Sequence, residues 1–393
     1  MDTRNQYTVG LFTDSYPPIA DGVAFVVRNY AFWLTRKSWN SYVLTPSFPS
    51  TGHVDEPGVL RYASVPLPVR KPYRLGLPGL DPGFRRRLSL LQFDLVHAHS
   101  PFGCAALALK MARKQHIPSV ITFHSKYYDD FLAATGSRKI AERVTAYIIR
   151  VFNRFDHVWA VNSRTADTLR SYGFKKEIDV VLLGSDMTPP EENHRSRQRM
   201  DERYHLQGIY PVFLFVGQHI WQKNVKMLLD VLEHLRKEGV AYRMLFVGAG
   251  GAADELKRIS NRKKLDDAVQ FLGPVHDRTL LRDIYARADL LLFPSLYDNA
   301  PLVIQEAASV HCPALILNNS NAAEGITDGF NGFLAENNTE SIARRIIAAI
   351  ANRKGLMEAG HNAYHTLYRS WDTVIEAVKE KYEGYIRSYR ARQ

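Results

Sequence analysis

Val212-Phe213-Leu214-Phe215-Val216, then Gly217-Gln218-His219-Ile220-Trp221-Gln222-Lys223-Asn224, then an amphipathic run opening at about Val225, forms one complete strand–loop–helix unit. Five apolar residues in a row, with no polar alternation, describe a strand covered on both faces, as strands of parallel sheets are. The same unit recurs in both directions along the chain. Further apolar runs stand at 8–12, 41–44, 94–97, 119–123, 157–161 and 179–182 in the first half, and at 243–247, 269–272, 290–293 and 314–317 in the second. Helical periodicity separates them, and strands alternating with helices imply parallel sheets wrapped by crossover helices. The expected class is α/β, with two doubly wound, Rossmann-like domains in series.

A chain of 393 residues exceeds one ordinary core and suits two domains of roughly 150–200 residues each, with a cleft expected between them. The alternation is interrupted by Thr188-Pro189-Pro190-Glu191-Glu192-Asn193-His194-Arg195, a proline-led polar stretch that places a hinge near 186–210. The expected domains are 1–190 and 205–368. Residues 369–393 then hold a last periodic segment, a helix free to cross back onto the first domain.

The formal net charge of +11 is concentrated in one half: residues 1–190 hold 24 Lys and Arg against 15 Asp and Glu, and the remainder 27 against 25. A basic surface attracts phosphate-rich partners, whether nucleic acid, anionic lipid or a small pyrophosphate. Cys104 and Cys312 stand one in each half, so a disulfide framework is not expected and a reducing compartment, the cytoplasm, is. No apolar leader precedes the 8–12 run and no stretch reaches membrane-spanning length, so any membrane role is peripheral. Neither G-x-x-x-x-G-K-[ST] nor G-x-G-x-x-G occurs, which disfavours an NTPase or NAD enzyme. Asp-x-Asp is also absent, and with it a ready carboxylate pair for a metal ion.

Ligands of parallel sheets bind beyond the carboxyl ends of strands, so chemistry is sought there. After the first run, Thr13-Asp14-Ser15-Tyr16-Pro17-Pro18-Ile19-Ala20-Asp21-Gly22-Val23 is a turn-rich loop in which Gly22 lets backbone approach a phosphate or sugar. After 119–123 comes His124-Ser125-Lys126-Tyr127-Tyr128-Asp129, a dense polar cluster in which the histidine is either structural or chemical. Lys223 stands near a helix start, where an ammonium and free amides together neutralise a diphosphate. Gly248-Ala249-Gly250-Gly251 reads as a strand-to-helix turn. The strongest constellation is Ser295-Leu296-Tyr297-Asp298-Asn299-Ala300-Pro301-Leu302-Val303-Ile304-Gln305-Glu306. With a helix opening near Pro301, Asp298 lies in the preceding loop and Glu306 two turns along; a carboxylate accepts bonds from vicinal hydroxyls, so one suits a ribose diol and the other a sugar. The segment 61–91 mixes Arg70, Lys71, Arg74, Arg85, Arg86 and Arg87 with leucines, as interfacial segments do; a solvated connection fits it equally well.

In these pieces and their order the chain resembles the retaining glycosyltransferases of family 4, which have the two-Rossmann-domain GT-B fold. The resemblance runs from Asp14-Ser15-Tyr16-Pro17-Pro18 through His124, Gly217, Lys223 and Asn224 to Glu324-Gly325 and Asn331-Gly332, and includes the hallmark spacing of an acid, seven residues and Glu at Asp298 and Glu306. It implies that Glu306 binds the donor ribose, Asp298 the transferred sugar, Lys223 the diphosphate and His124 a hydroxyl near the reacting carbon. Gly22, Gln218, Asn299, Ala300, Leu302 and Val303 would complete the donor site, and Arg85, Arg86, Arg87, Tyr127 and Tyr128 would face an acceptor or membrane. His124, Asp298 and Lys223 are the expected catalytic set. Three departures weaken donor contacts: Asp298 where Glu is usual, Gln218 where Arg is common, and Pro301, which has no N–H, where Gly is common.

The implied function is metal-independent transfer of a hexose, with UDP-glucose or a similar UDP-hexose favoured, retaining the anomeric configuration. No cofactor is expected, and no nucleic-acid partner. The acceptor is a diacylglycerol-type lipid, as the 124–129 loop and the basic half suggest, or a cell-envelope glycan. Association with the inner face of the plasma membrane goes with the first. A nucleotide-sugar epimerase and a catalytically silent nucleotide-sugar binder remain as alternatives.

Overall fold

The computed structural model describes residues 6–19, 21–49, 56–67 and 73–393. The chain divides into two compact units, Met1–Leu183 with Trp371–Gln393, and Gly184–Ser370. Both are Rossmann-like α/β layers, the fold class that the strand–helix alternation implies.

The first unit carries β1 (Thr8–Phe12), β2 (Asn40–Pro46), β3 (Val59–Tyr62), β4 (Ser64–Pro66), β5 (Arg74–Gly76), β6 (Leu95–Ala98), β7 (Ser119–Phe123), β8 (His157–Ala160) and β9 (Asp179–Val180). Seven of them form a parallel sheet in the order β3-β2-β1-β6-β7-β8-β9, and β4 and β5 form a separate antiparallel hairpin. β3 and the hairpin fall in a stretch with no clear apolar run, so the sequence shows them only weakly; β3 is an edge strand whose residues are mostly half-buried. The helix after β1, Gly22–Arg36, starts where Asp21 accepts the Ala24 N–H at 2.8 Å, an N-cap that satisfies one of the helix's free donors.

The C-terminal helix, Trp371–Arg390, belongs to this unit. Its Trp371 and Tyr382 are completely buried, with Trp371 edge-on to Tyr30 of the first helix and Tyr382 stacked on Trp159. Polar contacts fix its register: Lys37 pairs with Asp372 at 2.7 Å and Glu376 at 2.8 Å, Tyr385 donates to Asp179 at 2.6 Å, and Arg390 reaches Asp94 at 2.8 Å. The helix therefore crosses back onto the first unit, as the periodicity of the last segment suggests.

The second unit holds β10 (Val212–Val216), β11 (Arg243–Val247), β12 (Val269–Gly273), β13 (Leu290–Phe293), β14 (Ala314–Leu317) and β15 (Phe333–Ala335), all parallel, in the order β12-β11-β10-β13-β14-β15. Strand order reverses between β1 and β6 in one sheet and between β10 and β13 in the other, the points at which loops diverge and ligands of such sheets bind.

One expectation is corrected. The polar segment read as a hinge at 186–210 contains a helix, Asn193–Tyr204, that is built into the second unit. Arg199 pairs with Asp283 at 2.6 Å, Arg197 donates to the Ala286 carbonyl at 2.8 Å, and Met187 and Met200 enter the core. Its charges pair with groups of the helix Arg278–Arg287 and of β13's approach, so it docks without the apolar stripe that sequence periodicity detects.

Trp371→Ala removes the largest side chain that the returning helix buries, and large-to-small replacement of this kind costs about 3–5 kcal/mol. A lowered denaturation midpoint for the first unit, with the second unit's transition unmoved, is the expected result in chemical unfolding followed by circular dichroism.

Candidate active site

In the second unit, the loops leaving β10 and β11 are held almost in contact. Gly217 N–H donates to the Val247 carbonyl and His219 N–H to the Ala249 carbonyl. A Cβ on Gly248 would fall 1.9 Å from the Gly217 carbonyl oxygen, and one on Gly250 would fall 2.4 Å from that of His219. The glycine turn thus permits a close approach of two backbones. It sets the path of the loop that ends in Lys223.

Lys223 crosses from that loop to the one after β13. Its Nζ lies 2.7 Å from Asp298 Oδ1 and 5.2 Å from the centre of the Phe293 ring. The other carboxylate oxygen of Asp298 accepts the Ser295 hydroxyl at 2.6 Å, and Ser295 Oγ accepts the N–H groups of Tyr297 and Asp298. The pair is largely shielded, with side-chain exposures of 12% and 18%, so its attraction is screened less than that of a surface pair.

The helix Leu302–Ser309 follows Pro301. Glu306 therefore lies little more than one turn from the helix start, rather than two. It is buried, with Oε2 accepting the Tyr285 hydroxyl at 2.8 Å and Oε1 accepting Arg278 at 2.8 Å. Arg278 also pairs with Asp186. Burial and the adjoining Glu306 carboxylate together push the Tyr285 phenol well above its ordinary range, so it remains a donor. Pro301 offers no N–H, so the first-turn amides of Leu302 and Val303 are the donors that the helix start presents. Asn299 is buried and accepts from Asn321 Nδ2 at 2.8 Å, Ala300, Leu302 and Val303 are half-buried, and Gln218 is exposed.

The first unit places another set at the β1/β6 switch point. Asp14 accepts the Cys104 N–H at 3.2 Å, and burial pushes its carboxyl up to about 6. Gly22 opens the first helix, and a Cβ there would meet nothing within 4 Å among the described residues. His124, just past β7, lies 3.2 Å through Nε2 from Nδ1 of His99, just past β6. Tyr128 is half-buried in the helix Tyr127–Thr135. Tyr127, expected to face an acceptor or membrane, is instead a core residue, 4% exposed and edge-on to Phe102 and Phe123; its ring fills the space under the loop that carries His124. Arg85, Arg86 and Arg87 stand apart on the helix Pro82–Ser89, all exposed, while Phe84 and Leu88 of that helix are buried. Arg70 and Lys71 lie outside the described residues.

Tyr285, Arg278, Ser295 and His99 were not among the expected site residues. Ser295 stands inside the quoted constellation, and His99 follows a strand directly, a position that flags it. Tyr285 and Arg278 lie on a helix with no local cue. Among the described residues no group of three or more His, Cys, Asp or Glu side chains is arranged to hold a metal ion.

Residues 20–188 match the family described as Glycosyltransferase Family 4, and residues 196–366 match Glycosyl transferases group 1. The chain belongs to glycosyltransferase family 4. This glycosyltransferase is 24% identical over 334 residues to the alpha-monoglucosyldiacylglycerol synthase of Streptococcus pneumoniae, covering 83% of this chain and 74% of the relative. It is 23% identical over 349 residues to the synthase of the same name from Acholeplasma laidlawii, covering 86% and 87%. Its fold matches that of HepE from Anabaena, solved in complex with UDP, with a TM-score of 0.76 and 18% identity over 96% of this chain and 100% of that one. It also matches the sucrose-phosphate synthase from Thermosynechococcus elongatus, with a TM-score of 0.81 and 17% identity over 98% and 100%.

Burial holds His97, His99 and His124 of this glycosyltransferase below the ordinary histidine range. A histidine lowered on folding binds fewer protons in the native state than in the unfolded one, so its stabilising contribution is complete above about pH 6.5 and is lost as pH falls below it. Urea titrations of the first unit should therefore lose about 1–2 kcal/mol per such imidazole between about pH 7.5 and pH 5, and His124→Gln should reduce that loss. A pH-independent midpoint would contradict the assignment.

Proposed function

We propose that this glycosyltransferase transfers a hexose from a UDP-hexose to a hydroxyl of a diacylglycerol-type lipid, with retention and without a metal ion. The observation that carries the donor side is the shielded Lys223–Asp298 pair standing close along the chain to Glu306, itself oriented by Tyr285. Before donor binds, each charged group is already paired. A diphosphate offers Lys223 a doubly charged replacement for Asp298, with the first-turn amides of Leu302 and Val303 as further donors. Asp298, so released, accepts hydroxyls of the sugar, and Glu306 accepts the ribose diol. These groups act on charge that develops on the leaving diphosphate, which is electrostatic stabilisation by preset donors.

UDP as the nucleotide is supported by HepE of the same fold, solved with UDP and with UDP-glucose. The lipid acceptor is supported by the two diacylglycerol-directed relatives. On the first unit, His124 contacts the transferred sugar and Gly22 leaves room at its helix start. No enzymic nucleophile is assigned; the departing phosphate oxygen takes the acceptor hydroxyl's proton as the new C–O bond forms on the face the leaving group vacates.

Arg85, Arg86 and Arg87 are flanked by the strongly exposed Leu80 and Leu90, at 76% and 77%. Cations beside protruding leucines suit the surface of an anionic bilayer, where each Lys or Arg contributes about 1 kcal/mol. Among the described residues no helix is long and apolar enough to cross a membrane.

A panel of UDP- and GDP-hexoses against diacylglycerol and saccharide acceptors, read by mass spectrometry, tests the reading; glucosylated diacylglycerol from UDP-glucose is the expected product, and product from a saccharide alone would replace the lipid. Glu306→Ala and Lys223→Ala should each lower kcat/KM by about 100-fold, as expected for loss of a charged hydrogen bond at the donor. Turnover should survive EDTA unchanged; its loss on chelation and return with Mn²⁺ would refute metal independence. Replacing Arg85, Arg86 and Arg87 by Ser should abolish co-sedimentation with anionic vesicles. In the unmodified protein, binding should weaken as salt shortens the screening length towards about 8 Å.

A further inference from the structure

The helix Arg353–Thr366 of the second unit carries His361 and His365 four residues apart, a spacing that sets two side chains on one face of a helix, one turn from each other. Ala359, Gly360 and Ala363 bury the opposite side of the helix, and both histidines are exposed. Asn362, between them, donates to the Phe330 carbonyl at 3.0 Å and ties this turn to the body of the unit. The pair takes no part in the donor or acceptor contacts proposed above.

Two further rings back the pair. His311 adopts a φ of 63° just beyond the helix Leu302–Ser309, and its carbonyl comes so close to Gly360 that a Cβ there would fall 2.1 Å from the oxygen. Only glycine permits that approach, which presses the His311 turn against the helix. The His311 ring lies within 10° of parallel to that of His361, with centroids 5.7 Å apart, and 4.6 Å from the Tyr364 ring. Tyr364 in turn stands edge-on to His365 at 5.2 Å. Each imidazole of the pair thus rests against another ring, so part of its rotamer freedom is lost before any ligand arrives.

His361 and His365 approach each other through Nε2, 3.1 Å apart, with ring centroids 4.4 Å apart and planes inclined by 69°. In a hydrogen bond that runs along both ring axes the centroid separation exceeds the N···N distance by about one ring diameter, as it does for His99 and His124, at 5.4 and 3.2 Å. For His361 and His365 the excess is little more than half as large. Their ring axes are therefore inclined to the line between the nitrogens, as in a pair that converges on a point beside that line. Two nitrogens 3.1 Å apart, each about 2.05 Å from a common Zn²⁺, subtend about 98° at the ion, between the octahedral and tetrahedral angles.

We propose that His361 Nε2 and His365 Nε2 form a two-imidazole chelate for a divalent transition-metal ion on the outer face of the second unit. Imidazole nitrogen suits Zn²⁺, Cu²⁺ or Ni²⁺, whereas Mg²⁺ and Ca²⁺ prefer oxygen. Among the described residues no third His, Cys, Asp or Glu completes a metal-holding group, so water fills the remaining positions, which the exposed rings leave open. Coordination uses bare Nε2 atoms, so in the bound form each ring carries its proton on Nδ1. The ion bridges two successive turns of one helix and stabilises the second unit according to its concentration relative to its dissociation constant.

Calorimetric titration of the full-length protein with Zn²⁺, and separately with Mg²⁺, tests the chelate, with His361→Gln and His365→Gln as the variants. Both substitutions fall on the exposed face of the helix, and circular dichroism checks that the fold is kept. The unmodified protein should show one Zn²⁺ site that saturates below about 1 mM and no such site for Mg²⁺. Each variant should bind Zn²⁺ at that site at least about 10-fold more weakly, since one of two ligands is gone. In the unmodified protein, saturating Zn²⁺ should also raise the unfolding midpoint of the second unit, a rise that both variants lose. Absence of a Zn²⁺ site from the unmodified protein, equal binding of Mg²⁺, or a site that survives in either variant overturns the proposal.

Discussion

In a parallel sheet every strand ends at the same edge, and where strand order reverses the loops of neighbouring strands part in opposite directions. That constraint operates at β1/β6 in the first unit and at β10/β13 in the second. In the second, the loops leaving β10 and β13 carry Lys223 and Asp298, and the helix following β13 carries Glu306. In the first, the loops leaving β1 and β6 carry Asp14 and His99, with His124 on the next strand end. Each unit thus collects its chemistry from segments that are distant in sequence and share only a strand edge.

Both carboxylates that follow β13 are engaged by groups of the protein itself. Asp298 is held by Lys223 and Ser295, and Glu306 by Tyr285 and Arg278. A buried charge without a partner is costly, so the folded protein supplies partners of its own. If these groups hold the donor as proposed, binding is an exchange of partners, in which a phosphate displaces a carboxylate from Lys223 and hydroxyls join carboxylates already oriented. Preset orientation costs no reorganisation when the reaction occurs.

The departures from the family pattern acquire a physical meaning here. The shorter Asp298 still reaches both Lys223 Nζ and Ser295 Oγ, so the loss of a methylene leaves the loop's internal bonds intact. Pro301, with φ of −68°, caps a helix whose available donors begin one residue later, at Leu302. Gln218 is exposed beside the glycine turn and brings no charge to it. Lys223 is left as the cation of the β10 loop, and its pairing with Asp298 joins that loop to the one after β13.

Most of the sheet strands could be read from local sequence, because a strand covered on both faces must be apolar throughout; β1, β7, β10, β11, β13 and β14 coincide with their apolar runs. The edge strand β3 and the hairpin were less legible, since partial exposure relaxes that requirement, and β15, though mostly buried, is only three residues long. Asp298, Glu306 and Lys223 were legible as well, through position after a strand and through spacing. Other features depended on contacts that no local pattern records. The polar helix Asn193–Tyr204 docks through ion pairs rather than an apolar stripe, and Tyr127 turns inward because Phe102 and Phe123 leave a space that its ring fills. Tyr285 and Arg278 grip Glu306 from a helix more than twenty residues earlier, and His97 meets Tyr382 from the far end of the chain. Sequence alone determined where strands end and which residue types stand there, because burial and backbone geometry act locally. Only tertiary structure decided which of those groups are paired, buried or left to donate, because hydrogen bonds and ion pairs join whatever the fold brings within about 3 Å.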